Sequence, residues 1–293
     1  MPGEGSVRSA APDELPLDEV PLPAVPLEEG TLVIADLHLD VTSPELVAPF
    51  ARWLDDLARV PRLLILGDLF DVWVGPAQAH LAGATVVLDA MRRLTGRGTA
   101  IEIVPGNRDF LLGRAFEERT GAHLHADGFA GAVIGAVRVG ADGDFAERDP
   151  AEGRTARRIL FVHGDTLCTL DRGYLRLRRV LRSRAVRWLS RRMPLPIGMR
   201  VARRLRRASV KALAAKRPEE KSIQRDAVVA AARAAACDML VCGHAHEFRD
   251  EGLAQDVRFV VVGAFGGARD VLRFDARGEP VPFSSSGLRD AGA

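Results

Sequence analysis

RLLILGDLFD, residues 62 to 71, decides how this chain folds. A short run of leucine and isoleucine closes on Gly67 and Asp68. Unbroken apolar character suits a strand buried on both faces, and the Gly-Asp pair supplies the turn that ends it. The same grammar returns four times. TLVIA (31–35) leads into Asp36-Leu37-His38, and IEIV (101–104) into Pro105-Gly106-Asn107-Arg108-Asp109. RILFV (158–162) leads into His163-Gly164-Asp165, and MLVC (239–242) into Gly243-His244-Ala245-His246. The first three runs alternate with helical stretches, PELVAPFARWLDDLA and HLAGATVVLDAMRRLTG. Strands alternating with helices predict a largely parallel α/β sheet. The carboxyl ends of such strands share one edge, where ligands bind, so five segments are expected to deliver Asp, His and Asn there. Further strands are predicted over 132–142, 256–265 and 271–275, with a turn at Asp142-Gly143, as a second sheet packed on the first.

With 293 residues, 47% of them hydrophobic, the chain has material for a sizeable core. Its formal net charge of +2 hides a separation. Residues 172–217 hold 17 of the 41 basic residues and no acid, leaving 24 basic against 39 acidic residues elsewhere. A basic module of this kind meets phosphates: nucleic acid, anionic lipid or a phosphorylated substrate. No aromatic-interleaved basic stretch or nucleic-acid motif accompanies it, so nucleic acid is not expected as a partner. Three cysteines (Cys168, Cys237, Cys242) make no disulfide framework and suit a reducing cytoplasm. No run is long and apolar enough for a membrane span, and the acidic, proline-broken N-terminus does not read as a secretory signal.

Residues 1–30 are expected to be a disordered proline-rich acidic tail, with order beginning near Thr31. Residues 31–275 are read as one domain, and 276–293 as a flexible C-terminal tail. Inside the domain the basic module, about 170–220, reads helical. Tyr174, Leu177, Leu181, Ala185 and Trp188 recur at three- and four-residue steps. MPLPIG (193–198) breaks the run, and Val201, Leu205, Ala208 and Ala212 begin a second amphipathic helix.

In order, the chain carries IADLHLD, LGDLFD, PGNRDF, VHGD and CGHAH. This set resembles the signature of the calcineurin-like metallophosphoesterases, and the resemblance runs over nearly all of residues 31–275. It implies a β-sandwich flanked by helices (αββα), here with a helical lid insertion, and a pair of divalent ions. The implied ligands of the first ion are Asp36, His38, Asp68 and His246. Those of the second are Asp68, Asn107, His163 and His244, with Asp68 as the bridge. Mixed imidazole and carboxylate donors suit Mn, Fe or Zn.

Where most of the superfamily has histidine after the motif asparagine, this chain has Arg108. Together with HGDTLCTLDRGY (163–174) and the helical insertion, that arginine resembles one subfamily, the pyrophosphatases of lipid A synthesis that cleave UDP-2,3-diacylglucosamine. The resemblance implies products UMP and 2,3-diacylglucosamine 1-phosphate (lipid X), a manganese cofactor, and in-line attack of a metal-bound hydroxide on the α-phosphorus. It implies catalytic roles for Asp68, Asn107 and Arg108, and substrate contacts from Arg108, Asp171, Arg206, Ser209, Lys216 and His244. It also implies an amphipathic nucleotide-sugar lipid as partner, and a cytoplasmic enzyme in peripheral contact with the inner membrane. Leaving-group chemistry gives Arg108 a reason. An alkoxide benefits from a general acid, whereas a departing phosphate benefits from a permanent cation that guanidinium supplies.

Two departures from the subfamily matter: Leu213 stands where the relatives' lid carries asparagine, which keeps another nucleotide-sugar or a phosphodiester open as substrate, and GAFGGARD lacks their aromatic-histidine pair, which leaves acyl-chain length open. A non-catalytic scaffold would have lost ligands, and all seven are present. The lid's apolar stripe either lines an acyl chamber or forms the core of a helix pair. His80, His123 and His125 are read as structural. Asp71, Asp109 and Asp165 are expected to orient the ligand side chains, with helix capping an equal reading for Asp109.

Overall fold

The computed structural model describes residues 22–133, 137–139, 145–147 and 157–287. In chain order the strands are β1 (Ala24–Leu27), β2 (Leu32–Ile34), β3 (Arg62–Leu66), β4 (Ala100–Val104), β5 (His123–Leu124), β6 (Phe129–Val133), β7 (Val137–Val139), β8 (Phe145–Glu147), β9 (Arg158–Phe161), β10 (Met239–Cys242), β11 (Arg249–Gly252), β12 (Arg258–Val261), β13 (Val271–Phe274) and β14 (Pro280–Phe283). The α-helices are α1 (Pro44–Asp56), α2 (Ala82–Gly96), α3 (Arg114–Thr120), α4 (Arg172–Leu181), α5 (Arg184–Ser190), α6 (Leu195–Ala215), α7 (Pro218–Lys221) and α8 (Arg225–Ala234).

Two six-stranded sheets stack face to face. One has the order β1-β6-β9-β10-β12-β11 and the other β14-β13-β2-β3-β4-β5, while β7 and β8 make a separate hairpin. Both sheets are mixed: β2, β3, β4 and β5 run parallel, as do β9, β10 and β12, and antiparallel strands join them. The five motif-bearing strands are therefore not one parallel sheet. Three lie in one layer and two in the other, and their carboxyl ends meet at one end of the sandwich.

The central strands read as continuous apolar runs because both faces are covered. Val33, Leu64, Leu66, Phe161 and Val241 fill the space between the sheets. Ile34, Leu63 and Ile65 point outward, under α1 and α2. Val47, Phe50, Ala51 and Leu54 of α1, and Val87, Leu88, Met91 and Leu94 of α2, fall at helical spacing and face that sheet. On the opposite layer α8 lays Val228, Ala231 and Ala232 against Leu240 and Val261. The layers are thus αββα, as the motif set implies.

Chain order departs from expectation at both ends. Ala24–Leu27, placed in the disordered tail by the sequence reading, is a strand paired in parallel with β6. Proline-rich composition hid it, because only Val25 and Leu27 are buried. Leu27 packs against Phe161 over Gly131, where an added Cβ would lie 2.8 Å from Leu27 Cδ1. Likewise Pro280–Phe283, placed in the flexible C-terminal tail, pairs antiparallel with β13. The acidic segment 1–21, the Asp142-Gly143 turn and residues 288–293 lie outside the described residues.

The basic segment forms α4, α5, α6 and α7, with a break at Met193-Pro194. Its apolar stripe is not a helix-pair core. Tyr174 and Leu181 are half-buried, whereas Leu177, Ala185 and Trp188 are exposed. No residue of α4 is fully buried, and charged anchors hold it instead.

Replacing Leu27 by Ala is expected to cost about 2–5 kcal/mol in urea unfolding, the range for truncating a buried leucine. A solvated tail would leave the midpoint unchanged.

Candidate metal centre

Each motif side chain sits just past a strand end: Asp36 after β2, Asp68 after β3, Asn107 after β4, His163 after β9, and His244 and His246 after β10. Short hydrogen bonds stitch these turns together. The Asp36 amide donates to the Gly67 carbonyl at 3.1 Å, and the His38 amide to the Asp68 carbonyl at 2.8 Å. Across the two layers, the His244 amide donates to Asp36 Oδ2 at 2.7 Å. Close approach demands glycine at two of the turns. A Cβ on Gly106 would overlap the Asp68 carboxylate, and one on Gly67 would overlap the His163 ring. Gly67 also has φ +85°, a region open to glycine without penalty.

Backbone strain concentrates at the same place. Asp36, His38, Asp68, His244 and His246 all have positive φ, between 49° and 68°. Each such residue costs on the order of 1–3 kcal/mol, and such residues cluster at functional sites. Only three other non-glycine residues among those described share this conformation.

The donor atoms converge in two overlapping groups, Asp36 with His38 and His246, and Asp36 with Asp68 and His163. Within each, the atoms lie within 4.8 Å of one another. His38 Nε2 faces His246 Nε2 at 3.1 Å. Asp68 Oδ2 stands 3.7 Å from His38 Nδ1, and Asp68 Oδ1 stands 3.8 Å from His163 Nε2, so one carboxylate reaches toward both groups. The Leu66 carbonyl lies 2.9 Å from His163 Nδ1, which places the ring proton there. The ring's Nε2 lies 3.1 Å from Asn107 Oδ1, so the ring stands between the β3 and β4 ends of the other sheet. His244 belongs to neither group, although its ring centroid lies 5.0 Å from that of His163.

These residues fit divalent ions. Asp36 Oδ1 and His38 Nδ1 are buried with no hydrogen-bond partner, and a buried polar atom of this kind calls for one, which a cation would provide. Burial, with Asp68 alongside, pushes the Asp36 carboxyl up to about 7 despite the opposing pull of His163. Burial likewise raises Asp68. Burial and then Arg108 drive His38 down to about 3, and burial and then His163 drive His244 down to about 3. Burial works against charge on His163, but the carboxylates of Asp68, Asp165 and Asp36 outweigh it and hold its pKa up. Carboxyls raised for want of positive charge, beside His38 and His244 kept neutral, form a set that a divalent cation would stabilise by drawing the carboxyls into their ionised form.

The other expected residues divide. Arg108 borders the site: its amide donates to Asp68 Oδ1 at 3.0 Å, and its Nη1 donates to Asp71 Oδ1 at 2.9 Å. Arg206, from α6, pairs with the other oxygen of Asp71. Asp171 caps α4 by accepting from the Tyr174 amide at 3.0 Å, and it pairs with Lys216. Ser209 is exposed on α6 and joins neither pair. The Leu213 side chain lies outside the described residues.

Of the three carboxylates expected to orient ligand side chains, none hydrogen-bonds a ligand imidazole among the described residues, while Asp109 holds the turn that carries Asn107. Asp71 holds arginines. Asp109 accepts from the amides of Gly106 at 2.7 Å and Phe70 at 3.3 Å, pinning two site loops, and does not cap α3, whose N-cap is Gly113. Asp165 accepts from the Tyr174 hydroxyl and from Arg178 Nε at 3.1 Å. Sequence reasoning missed Arg182, which donates to the Ala126 carbonyl at 2.6 Å and to the Pro105 carbonyl at 3.1 Å. Tyr174, Arg178 and Arg182 recur every four residues, along one face of α4 and onto its C-cap, and that spacing was the available signal.

A sandwich whose five strand ends bring carboxylates, imidazoles and a carboxamide to one edge has the donor chemistry of a metal-dependent phosphoesterase. Residues 31–248 match the calcineurin-like phosphoesterase family, and the chain belongs to it. Divalent metal ions are the cofactors this family implies. Over 260 residues the chain is 34% identical to a UDP-2,3-diacylglucosamine hydrolase of Pseudomonas putida, covering 87% of this chain and 99% of the relative. It is 35% identical over 242 residues to the hydrolase of that name from Aeromonas salmonicida, covering 80% and 85%. For the one from Pseudomonas aeruginosa the identity is 32% over 251 residues, covering 84% and 95%.

Purified protein is expected to take up two equivalents of Mn²⁺ by elemental analysis, and Asp68→Ala to lose at least one. A hundredfold excess of metal over Kd should stabilise the fold by about 2.7 kcal/mol per site, reversibly with chelator. Uptake of less than two equivalents by the unaltered chain contradicts the assignment.

Proposed function

We propose that this chain hydrolyses the pyrophosphate bond of UDP-2,3-diacylglucosamine, releasing UMP and 2,3-diacylglucosamine 1-phosphate. The observation that carries this reading is Arg108. Its position directly after Asn107, with its amide on the Asp68 carboxylate, sets a permanent cation at the rim of the metal centre. A leaving phosphate develops negative charge there that a guanidinium stabilises without transferring a proton.

Asp36, His38, Asp68 and His246 would hold one divalent ion, and Asp68, Asn107, His163 and His244 the second, with manganese the favoured metal. What such a pair supplies when bound is Lewis-acid polarisation of a phosphoryl group and acidification of water. The chain's own residues do the rest. Asp109 fixes the Asn107-Arg108 loop through the Gly106 amide, and Arg182 holds the same loop through the Pro105 carbonyl. Asp171 with Lys216, and Arg206 with Ser209, line the approach from the insertion as head-group contacts.

The insertion acts as the lid. Leu177, Val180, Trp188, Leu189, Ile197 and Val210 are exposed among its arginines, and that combination suits both acyl chains and an anionic membrane surface. No helix among the described residues is long and apolar enough to cross a membrane. In this reading the same surface makes a peripheral contact with the cytoplasmic face of the inner membrane.

With Mn²⁺, the protein is expected to turn over UDP-2,3-diacylglucosamine faster than aryl phosphate esters, with UMP appearing in the phosphorus spectrum. Arg108→Ala is expected to lower kcat/KM on the pyrophosphate by about 10²–10³, the range for losing one charge-stabilising donor. Faster ester cleavage, or an unchanged rate in Arg108→Ala, defeats this reading.

A further inference from the structure

Asp71 is the second acid of LGDLFD, and it touches none of the candidate metal ligands through its side chain. Its carboxylate is largely buried, yet it is bracketed by two guanidiniums from distant parts of the chain. Oδ1 accepts from Arg108 Nη1 at 2.9 Å, and Oδ2 pairs with Arg206 of α6. The backbone around it is equally committed. Its amide donates to the Leu39 carbonyl at 3.1 Å, next to His38, and two residues on the Trp73 amide donates to the Arg108 carbonyl at 2.9 Å. Asp71 is therefore fixed to the loops on either side of it, while the arginine side chains it holds are more exposed, 29% for Arg108 and 51% for Arg206. A rigid anion between two more exposed cations sets where both cations point.

We propose that Asp71 is a positioning residue that aims Arg108 at the metal centre and, with its other oxygen, docks α6 through Arg206. One side chain thereby couples the seating of the helical insertion to the cation beside the scissile bond. Two features make the arrangement specific. Arg108 also lies 3.5 Å from Asp68 Oδ2, so without Asp71 its guanidinium would be drawn toward the carboxylate that reaches both metal groups. Arg206 carries no other ion pair among the described residues, so α6 would lose that tie to the metal-centre loops. Elsewhere the insertion is held separately, α4 by Asp165 and by carbonyls, and Lys216 by Asp171. The Asp71 tie can thus be cut while those remain.

The inference rests on the proposed role of Arg108, and a double-mutant cycle separates the two. Full-length protein, Asp71→Asn, Arg108→Ala and the double variant are loaded with Mn²⁺, checked for metal content and assayed on UDP-2,3-diacylglucosamine. Asp71→Asn is expected to retain its metal and lose kcat/KM by about 10–100-fold, typical of removing a supporting hydrogen-bond partner. In the Arg108→Ala background the same change should cost less than about threefold, since residues acting through one another are not additive. Asp71→Glu, which keeps the charge, should recover most of the loss. Trypsin should cut α6 faster in Asp71→Asn than in the unaltered chain, a readout independent of turnover. An equal loss in both backgrounds, no loss in either, or unchanged cleavage of α6 overturns the proposal. An unchanged rate in Arg108→Ala alone instead defeats the functional reading on which it rests.

Discussion

Everything at the centre of this protein follows from burying two carboxylates, Asp36 and Asp68, with too little positive charge to balance them. An ionised carboxylate removed from water costs several kcal/mol unless a partner compensates. In the protein alone that compensation is incomplete: Asp36 is pushed up to about 7, and one of its oxygens has no partner. Arg108 and His163 supply part of the missing charge. A divalent cation, the cofactor this family implies, would supply the remainder, which is the physical ground for proposing these donors as its ligands.

That demand explains the architecture. A single parallel sheet offers one row of strand ends, whereas two stacked sheets offer two rows facing each other. Asp36, Asp68 and Asn107 come from one layer, and His163, His244 and His246 from the other, with the His244 amide bonded to Asp36 across the join. Left-handed backbone at four of these residues, and at His38, concentrates strain at this join. The inter-sheet core around Phe161, Val33 and Leu64 holds the layers rigid enough to sustain that strain.

Much of this was legible in the chain. Strands buried on both faces announce themselves as unbroken Leu, Ile and Val runs, and acids or histidines placed just after them mark a shared edge. The division of those strands between two sheets was not legible, because an apolar run carries no record of its neighbour. Composition also misled at Ala24–Leu27, where two buried side chains among prolines sufficed for a strand that pairs with β6. In the insertion, arginines that grip carbonyls and carboxylates, such as Arg178 and Arg182, look the same in sequence as arginines in water. Only the partners in space separate them. Asp71 belongs with these, since its neighbours Arg108 and Arg206 lie 37 and 135 positions away.

The most direct measurement is anomalous diffraction from crystals of the manganese-loaded protein, collected on both sides of the metal absorption edge. The account predicts two peaks about 3.5–4 Å apart, as in two-metal hydrolases, one beside Asp36, His38 and His246 and the other beside Asn107 and His163, with Asp68 between them. A single peak, or none within reach of Asp68, would contradict it.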